Sequence, residues 1–454
     1  MLRSESDLGH GITLAIVGAG PKAAAIAAKA AALSSVGLAN IRVCVIEAKC
    51  VAANWDGKNG FTNGSMYLGT NPEKDCGFPY DCKIFENPTL NEQVNEAMLA
   101  YSWQAFNVDR RTYSEWIDRG RPAPTHQQFA AYLKWVFERS KPLVVNATVH
   151  RILPTNRSSA RLLIEAHSPL TGFRTEKDVL KTRDNSLRGI TDLLALPVDG
   201  VVLSGPGSPY LIQGVERFNT PFVLNGENYW QHEREFDGLR DEVIGVFGGG
   251  ETAATVLLSL IEHTHSSCRL ELISASGLIY TRGEGFHENQ IYSDPEKWQE
   301  IDEIRRPDVI RRTDRGVFSV HARERIDQCD RIQVLKGYVD SVKRREDRIA
   351  ADIRFNGPSG QCLTTRFYDR VIIARGFDPW SLPMRLLPNH LGEMTNRKEL
   401  QAGIDRNLRL PIEAEMNVHV PALAGLAQGP GFMNLSCLGT LADRILELYV
   451  KEGA

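Results

Sequence analysis

The chain has 454 residues, of which 42% are hydrophobic and 24% charged, and its 53 basic and 56 acidic side chains give a formal net charge of −3. This length allows roughly two to three domains with a substantial core, and the balanced charge gives no electrostatic reason to expect a nucleic acid or an anionic membrane as the main partner. No apolar stretch approaches the ~18 residues that span a bilayer, and residues 1–11 contain no signal-peptide core, so we expect a cytoplasmic protein. The eight cysteines are scattered along the chain, as is typical of reduced thiols.

The first strong pattern is a strand that stops abruptly at glycines. A β-branched run over Ile12–Val17 is followed by a glycine turn, an alanine-rich helix and a second apolar run that ends at Glu47. A turn of the G-x-G-x-x-A type lets the backbone approach a pyrophosphate at the helix N-terminus, and an acid after the second strand can bind a ribose hydroxyl. The predicted contacts of the turn are Gly18, Gly20, Pro21 and Ala23.

Three elements are predicted between this unit and the next similar one. The pattern favours a helix over His126–Arg139 and a strand over Gly200–Ser204, while residues 154–190 are polar enough to predict irregular structure.

A second glycine unit begins about 230 residues later, with a strand over Val243–Phe247 and a turn that contains Gly248, Gly250 and Ala253. Its second strand ends at Ser274 without a carboxylate, and Arg282 follows shortly after. An acid at this position would repel a 2′-phosphate, whereas hydroxyl groups and an arginine would accept one, so this unit favours NADPH over NADH.

The end of the chain contains two further predicted elements. Asp369–Ala374 is typical of a strand, and Asn434–Val450 has apolar residues at helical spacing with Asn434 as a possible N-cap.

Two dinucleotide sites in one chain indicate a flavoprotein with FAD in the first unit and NADPH in the second. A flavoprotein that passes electrons to a redox-active cysteine pair is disfavoured, because the only nearby candidates, Cys76 and Cys82, do not form a C-x-x-C motif. A flavin oxygenase and a non-catalytic flavin-binding protein remain as alternatives.

Three further motifs lie in the order and spacing of a known family. They are Asn54-Trp-Asp-Gly57, Tyr67-Leu-Gly-Thr-Asn-Pro-Glu-Lys-Asp75 and Gly285-Phe-His-Glu-Asn-Gln-Ile-Tyr-Ser-Asp-Pro295. Together with the glycine units they resemble the N-hydroxylating flavin monooxygenases, the L-lysine and L-ornithine N-monooxygenases that supply hydroxamate siderophores. The fold that this resemblance implies is α/β, with an FAD domain and an inserted NADPH domain, both Rossmann-like.

The resemblance also implies roles for individual residues. Lys74 would bind the carboxylate of the amino-acid substrate, Asn289 would contact the same substrate, and Trp55 would lie beside the flavin. Two departures from the family pattern are Gly69, where the family has a glutamine, and Gly316–Ser319, where it has Asn-Tyr. The related ketone-oxygenating enzymes remain an alternative, although their histidine-containing fingerprint is missing here.

The reaction implied by the resemblance is hydroxylation of the side-chain amine of L-lysine or L-ornithine. NADPH reduces FAD, O2 adds to give a C4a-hydroperoxyflavin, and the distal oxygen passes to the amine, so that the flavin carries the chemistry and no side chain is assigned as catalytic. No metal is expected, and the partners are the amino acid and O2, with a homo-oligomer as the usual assembly of the family.

The predicted domain order is nested. Residues 1–220 form the first part of the FAD domain, residues 221–355 the inserted NADPH domain, and residues 356–454 the part that completes the FAD domain and the substrate pocket. The substrate would lie at the junction, where Lys74 and Asn289 meet.

Overall fold

The computed structural model describes residues 12–59, 61–155, 161–169, 191–218, 222–357, 360–392, 396–412 and 416–450. The expectations for residues 1–11, and for residues 156–160 and 170–190 of the predicted irregular segment, lie outside this part of the chain. Within it, no helix is both long and apolar enough to cross a membrane.

The strands, in chain order, are β1 (Ile12–Val17), β2 (Val43–Glu47), β3 (Leu143–Asn146), β4 (Thr148–Pro154), β5 (Leu162–Pro169), β6 (Thr191–Leu203), β7 (Ser208–Pro209), β8 (Val223–Asn225), β9 (Val243–Phe247), β10 (Arg269–Ser274), β11 (Tyr280–Thr281), β12 (Val317–Phe318), β13 (Ile332–Lys336), β14 (Tyr338–Arg345), β15 (Arg348–Gly357), β16 (Gly360–Tyr368), β17 (Arg370–Ile373), β18 (Phe377–Asp378) and β19 (Val418–His419).

The helices are α1 (Pro21–Ser35), α2 (Pro88–Leu99), α3 (Trp103–Asp109), α4 (Tyr113–Asp118), α5 (His126–Ser140), α6 (Glu251–His263), α7 (Phe286–Ser293), α8 (Pro295–Gln299), α9 (Arg306–Thr313), α10 (Val320–Asp327), α11 (Ser381–Leu386), α12 (Arg397–Ala402), α13 (Gly425–Gln428) and α14 (Leu438–Leu446).

The first sheet is built around β1. Its strand order is β3-β2-β1-β6-β5-β4, and β19 from the end of the chain pairs with β6. β1 runs parallel to both β2 and β6. β1 therefore has β2 on one side and β6 on the other. The strand order changes direction at β1, and open α/β sheets bind ligands at such a switch point.

The second sheet repeats this plan around β9. Its order is β13-β10-β9-β17-β8, and every pair is parallel. β14, β15 and β16 form a separate antiparallel sheet. The expected boundary at residues 355/356 falls within β15, and β17 adds to the second sheet, so the strands of that sheet extend to Ile373.

The alanine-rich helix α1 is buried along most of its length. Its small side chains allow close packing on the sheet, and Pro21 occupies its first turn, where the missing N–H is not needed. The side chain of Lys29 forms an ion pair with Asp443 of α14, with Nζ and Oδ1 2.7 Å apart. The last helix of the chain is thus joined to the first.

Two predictions about local structure are wrong. The irregular segment contains β5, in which Leu162, Ile164 and Ala166 alternate as fully buried residues between β4 and β6. The last helix begins at Leu438, with Cys437 rather than Asn434 as its N-cap. The amide of Asn434 instead donates to Asp314, and its oxygen accepts from the Ser436 N–H, so that it holds a turn before the helix.

Candidate active site

The first glycine turn has the geometry that a pyrophosphate requires. Gly18 has φ +98°, and a Cβ there would lie 2.8 Å from the Ser204 hydroxyl, so this position needs glycine. A Cβ on Gly20 would meet no atom within 4 Å, which leaves open space in front of the helix N-terminus. Ala23 is fully buried where α1 approaches the sheet. These three positions have the features of a dinucleotide turn.

Glu47 lies beside this turn at the end of β2. Its carboxylate accepts the N–H of Ala19 at 2.9 Å and the N–H of Lys49 at 2.8 Å. The acid is therefore fixed next to the turn, at the position from which a dinucleotide-binding acid reaches the ribose.

Lys22, a buried cation in the same turn, was not identified from the sequence. Burial is the main cause that lowers its pKa to about 8, and its Nζ donates to the Met433 carbonyl at 3.1 Å. A lysine after G-x-G-P is ordinarily expected to be a solvent-exposed helix residue. Lys22 is buried because the C-terminal segment that contains Met433 packs against this turn.

Trp55 packs against α5. Its ring lies edge-on to His126 and Phe129, with centroid distances of 4.9 and 5.2 Å. The capping box of Thr125 and Gln128 fixes the start of α5, and hence the position of this contact.

The second glycine turn is tighter than the first. Gly248 has φ +154°, and a Cβ there would lie 2.0 Å from the Ala374 carbonyl oxygen at the end of β17. Gly250 precedes α6, and Ala253 is fully buried in the first turn of that helix. This turn also brings the backbone to a helix N-terminus in the manner of a dinucleotide site.

Ser274 and Arg282, predicted together for the 2′-phosphate, have different hydrogen-bond partners in the described part of the chain. Ser274 is buried, and its hydroxyl accepts the Gly277 N–H at 3.1 Å. The Arg282 Nη1 donates to the Gly69 carbonyl at 2.9 Å, and its Nε has no hydrogen-bond partner in the described chain. Arg282 therefore lies across a cleft, against the loop that precedes Lys74.

This cleft has a volume of about 1010 Å³ and lies between the loop that carries Lys74 and α6, the helix that follows the second glycine turn. It brings together the two residues predicted to bind the substrate, Lys74 and Asn289, although 215 positions separate them in sequence. The Lys74 Nζ donates to the Asn289 Oδ1 at 2.8 Å. Burial is the main cause that lowers the pKa of Lys74, and the Arg282 cation acts in the same direction.

Asp75 holds the loop that carries Lys74. Its carboxylate accepts the Trp103 N–H at 2.7 Å, the Tyr80 hydroxyl at 2.8 Å and the Gly77 N–H at 3.0 Å. Burial raises the pKa of Asp75 to about 6, and these hydrogen bonds oppose that change. Asp75 thus positions Lys74 without facing the cleft itself.

The space beside Gly69 is used by two side chains from the second unit. A Cβ on Gly69 would lie 3.5 Å from Arg282 Nη1 and 3.7 Å from Glu251 Oε1. Glu251 is fixed there because its Oε2 accepts the Ser319 N–H at 2.8 Å. The two departures from the family pattern, at Gly69 and at Gly316–Ser319, therefore meet around Glu251.

The cysteines provide no support for a thiol-reducing enzyme. Cys76 and Cys82 are both free and buried, and burial raises the pKa of both thiols. Buried thiols with raised pKa values are poor nucleophiles.

Comparison with known proteins identifies the family. The model of the family "L-lysine 6-monooxygenase/L-ornithine 5-monooxygenase" matches residues 94–379. The L-lysine N6-monooxygenase MbtG of Mycobacterium sp. (strain MCS) is 37% identical over 443 residues, which cover 96% of this chain and 94% of that protein.

Two solved structures share the architecture. The lysine monooxygenase NbtG from Nocardia farcinica has a TM-score of 0.77 at 33% identity and covers 95% of this chain and 99% of its own. The ornithine N-hydroxylase KtzI of Kutzneria sp. 744, described with reduced FAD, NADP+ and L-ornithine, has a TM-score of 0.71 at 17% identity and covers 96% of this chain and 98% of its own.

The match to NbtG confirms the predicted fold class, with two Rossmann-like units. The 37% identity over nearly the whole length of an L-lysine N6-monooxygenase confirms the predicted family. The chain belongs to the L-lysine 6-monooxygenase/L-ornithine 5-monooxygenase family, whose members are flavin-dependent enzymes that N-hydroxylate a side-chain amine.

Proposed function

We propose that this chain uses NADPH and O2 to hydroxylate the N6 amine of L-lysine, with FAD at the first glycine turn and NADPH at the second. The observation that carries the proposal is the hydrogen bond between Lys74 and Asn289 in the cleft lined by α6, the helix that follows the second turn. We propose L-lysine and not L-ornithine as the substrate because the relatives at 33% and 37% identity are lysine enzymes.

The first turn suits FAD because its parts match the needs of a bound pyrophosphate and ribose. Gly20 leaves open space for the phosphates, Gly18 supplies the turn, and Glu47 supplies the acid. Pro21 begins a helix whose free N–H groups favour an anion. Bound FAD supplies the reaction with O2, which amino-acid side chains do not perform themselves.

The second turn suits NADPH because its strand ends in hydroxyl groups instead of a carboxylate. Ser276 is exposed after β10, and Lys336 ends the adjacent strand β13, opposite Ser274 in register. We propose that Ser276 and Lys336 bind the 2′-phosphate, and that Arg282 acts in the cleft instead.

Lys74 binds and orients the substrate. Its cation would attract the carboxylate of the amino acid, and Asp75 keeps the loop in place while it does so. The substrate amine must react in its neutral form, which at a pKa of about 10.4 is roughly one molecule in 2,500 near pH 7. A cleft whose lining includes Met66, Leu68 and Leu258 would favour the neutral amine, since desolvation lowers the pKa of an amine.

The domain division follows the sheets. We propose that the FAD domain contains the strands from β1 to β6 and β19, and that the inserted domain extends to the end of β17 at Ile373. A cytoplasmic site of action and a homo-oligomeric assembly stay predictions.

The test is a panel of amines with the purified yellow protein. NADPH consumption and hydroxylamine formation should both respond to L-lysine, more weakly to L-ornithine, and the flavin should be released as FAD on denaturation. NADPH consumption that yields only peroxide with every amine would refute the proposal.

A further inference from the structure

Five carboxylates line the cleft, and most of them already have a partner. Glu251 accepts the Ser319 N–H, Glu262 pairs with Arg325 at 2.7 Å, and Asp314 accepts the Asn434 amide at 3.2 Å. The two acids without a hydrogen bond or an ion pair in the described part of the chain are Glu284 and Glu324.

Glu284 is held close to Lys74 through its backbone. The Asn289 Nδ2 donates to the Glu284 carbonyl at 2.8 Å, while the Asn289 Oδ1 accepts from the Lys74 Nζ at 2.8 Å. Asn289 thus connects Lys74 to the backbone of Glu284. The nearby Glu288 is not available, because its carboxylate caps α7 at the Gly285 N–H.

The charge of Glu284 also acts on Lys74. Burial is the main cause that lowers the pKa of Lys74, and the Glu284 carboxylate is one of the groups that oppose this change. Glu324 lies on α10 and is not among those groups. Glu284 is therefore the unpaired acid that accompanies the proposed carboxylate-binding cation.

An α-amino acid brings a carboxylate and an ammonium group on the same carbon. Lys74 satisfies the carboxylate, but the Asn289 oxygen already accepts from Lys74, so it can accept at most one of the three N–H groups of the ammonium. An ammonium group that leaves water without an acceptor is strongly disfavoured. A carboxylate with no partner, next to the cation, meets this need.

On the basis of the proposed function, we infer that Glu284 binds the α-ammonium group of the amino-acid substrate. Lys74 then binds the carboxylate of the zwitterion, and Glu284 binds its α-ammonium group. The cleft accordingly selects an α-amino acid over an amine that lacks either group.

Two analogues of L-lysine separate these contacts. Cadaverine keeps the ammonium group and lacks the carboxylate, whereas ε-aminocaproate keeps the carboxylate and lacks the α-ammonium group. The experiment measures the dissociation constant by calorimetry, together with KM and kcat, for all three amines with the FAD-loaded full-length enzyme. The variants are Glu284→Gln and Lys74→Met, with Glu324→Gln as the matched control because it removes the other unpaired carboxylate of the cleft.

Glu284→Gln should weaken the binding of L-lysine and cadaverine about tenfold, as expected for a hydrogen bond to a charged group, and leave ε-aminocaproate unchanged. Lys74→Met should weaken the binding of L-lysine and ε-aminocaproate and leave the binding of cadaverine unchanged. Glu324→Gln should leave the dissociation constants of all three amines unchanged.

Equal weakening of L-lysine and ε-aminocaproate by Glu284→Gln would overturn the inference, because Glu284 would then act only through Lys74. Unchanged L-lysine binding in that variant would also overturn it. If the unaltered enzyme hydroxylates none of the three amines, the proposed function itself is wrong, and the inference falls with it.

Discussion

The ion pair between Lys29 and Asp443 joins the first helix of the chain to the last. Its Nζ and Oδ1 atoms are 2.7 Å apart, and the two side chains are only 1% and 7% exposed. Replacement of Lys29 by methionine keeps most of the side-chain volume and leaves the buried Asp443 carboxylate without its cation. The variant tests whether this pair holds α14, and with it the end of the chain, against α1.

The expected loss of stability is large. Removal of one partner from a buried ion pair typically costs about 3–5 kcal/mol, because the remaining charge is uncompensated. Here the loss should also depend on pH. Burial raises the pKa of Asp443, and Lys29 is the main group that opposes this change, so the folded-state pKa rises further in the Lys29→Met variant.

The sign of the pH dependence follows from proton linkage. An acid whose folded-state pKa lies above its unfolded value of 3.8 destabilises the fold increasingly as pH rises from one value to the other. The deficit of Lys29→Met should therefore be smaller at about pH 5 than at about pH 8, because protonation of Asp443 neutralises the unpaired charge.

The assay is urea unfolding followed by tryptophan fluorescence, at both pH values, for the unaltered protein, Lys29→Met and the double variant Lys29→Met/Asp443→Leu. The double variant should recover most of the lost stability, because apolar replacements of a buried pair are often neutral or stabilising. A Lys29→Met variant as stable as the unaltered protein at about pH 8, or with the same deficit at both pH values, would refute the reasoning.

Two further predictions concern the cofactor turn and the C-terminal segment. Gly20→Ala should fold normally, because a Cβ there meets no atom within 4 Å, but should bind FAD at least about tenfold more weakly because the methyl group occupies the phosphate space. Titration of the apoprotein with FAD measures this, and unchanged affinity would contradict the assigned turn. Burial lowers the pKa of His419 to about 4 from 6.5. The contribution of the neutral ring to the free energy of unfolding is therefore complete above about pH 6.5 and falls by about 3 kcal/mol as pH drops to 4. Urea unfolding over this range should show a shallower pH slope in His419→Gln, whereas equal slopes would show that another group is responsible.

The two glycine units were predictable because each is a local pattern. A strand, a glycine turn and a helix follow one another within about thirty residues, and the structure places both turns where the pattern puts them. The pairing of Lys74 with Asn289 was predictable only through the family resemblance, because 215 positions separate them and no local periodicity connects them.

The features that were missed depend on contacts between distant segments. β17 is a strand in any reading of its sequence, but its place in the second sheet follows from pairing with β8 and β9. Arg282 follows β10 closely in sequence, yet it comes directly after β11 and its guanidinium donates to the Gly69 carbonyl. Asn434 is a residue type that favours the N-cap position, but its side-chain amide donates to Asp314 instead of capping a helix.

The most direct test of N-hydroxylation by this chain is the product formed from L-lysine, NADPH and isotopically labelled O2. Mass spectrometry should find one labelled oxygen on the N6 atom of the product, with close to one hydroxylated lysine for each NADPH consumed. NADPH consumption with the label only in peroxide or water, and unmodified L-lysine at the end, would contradict the proposed function.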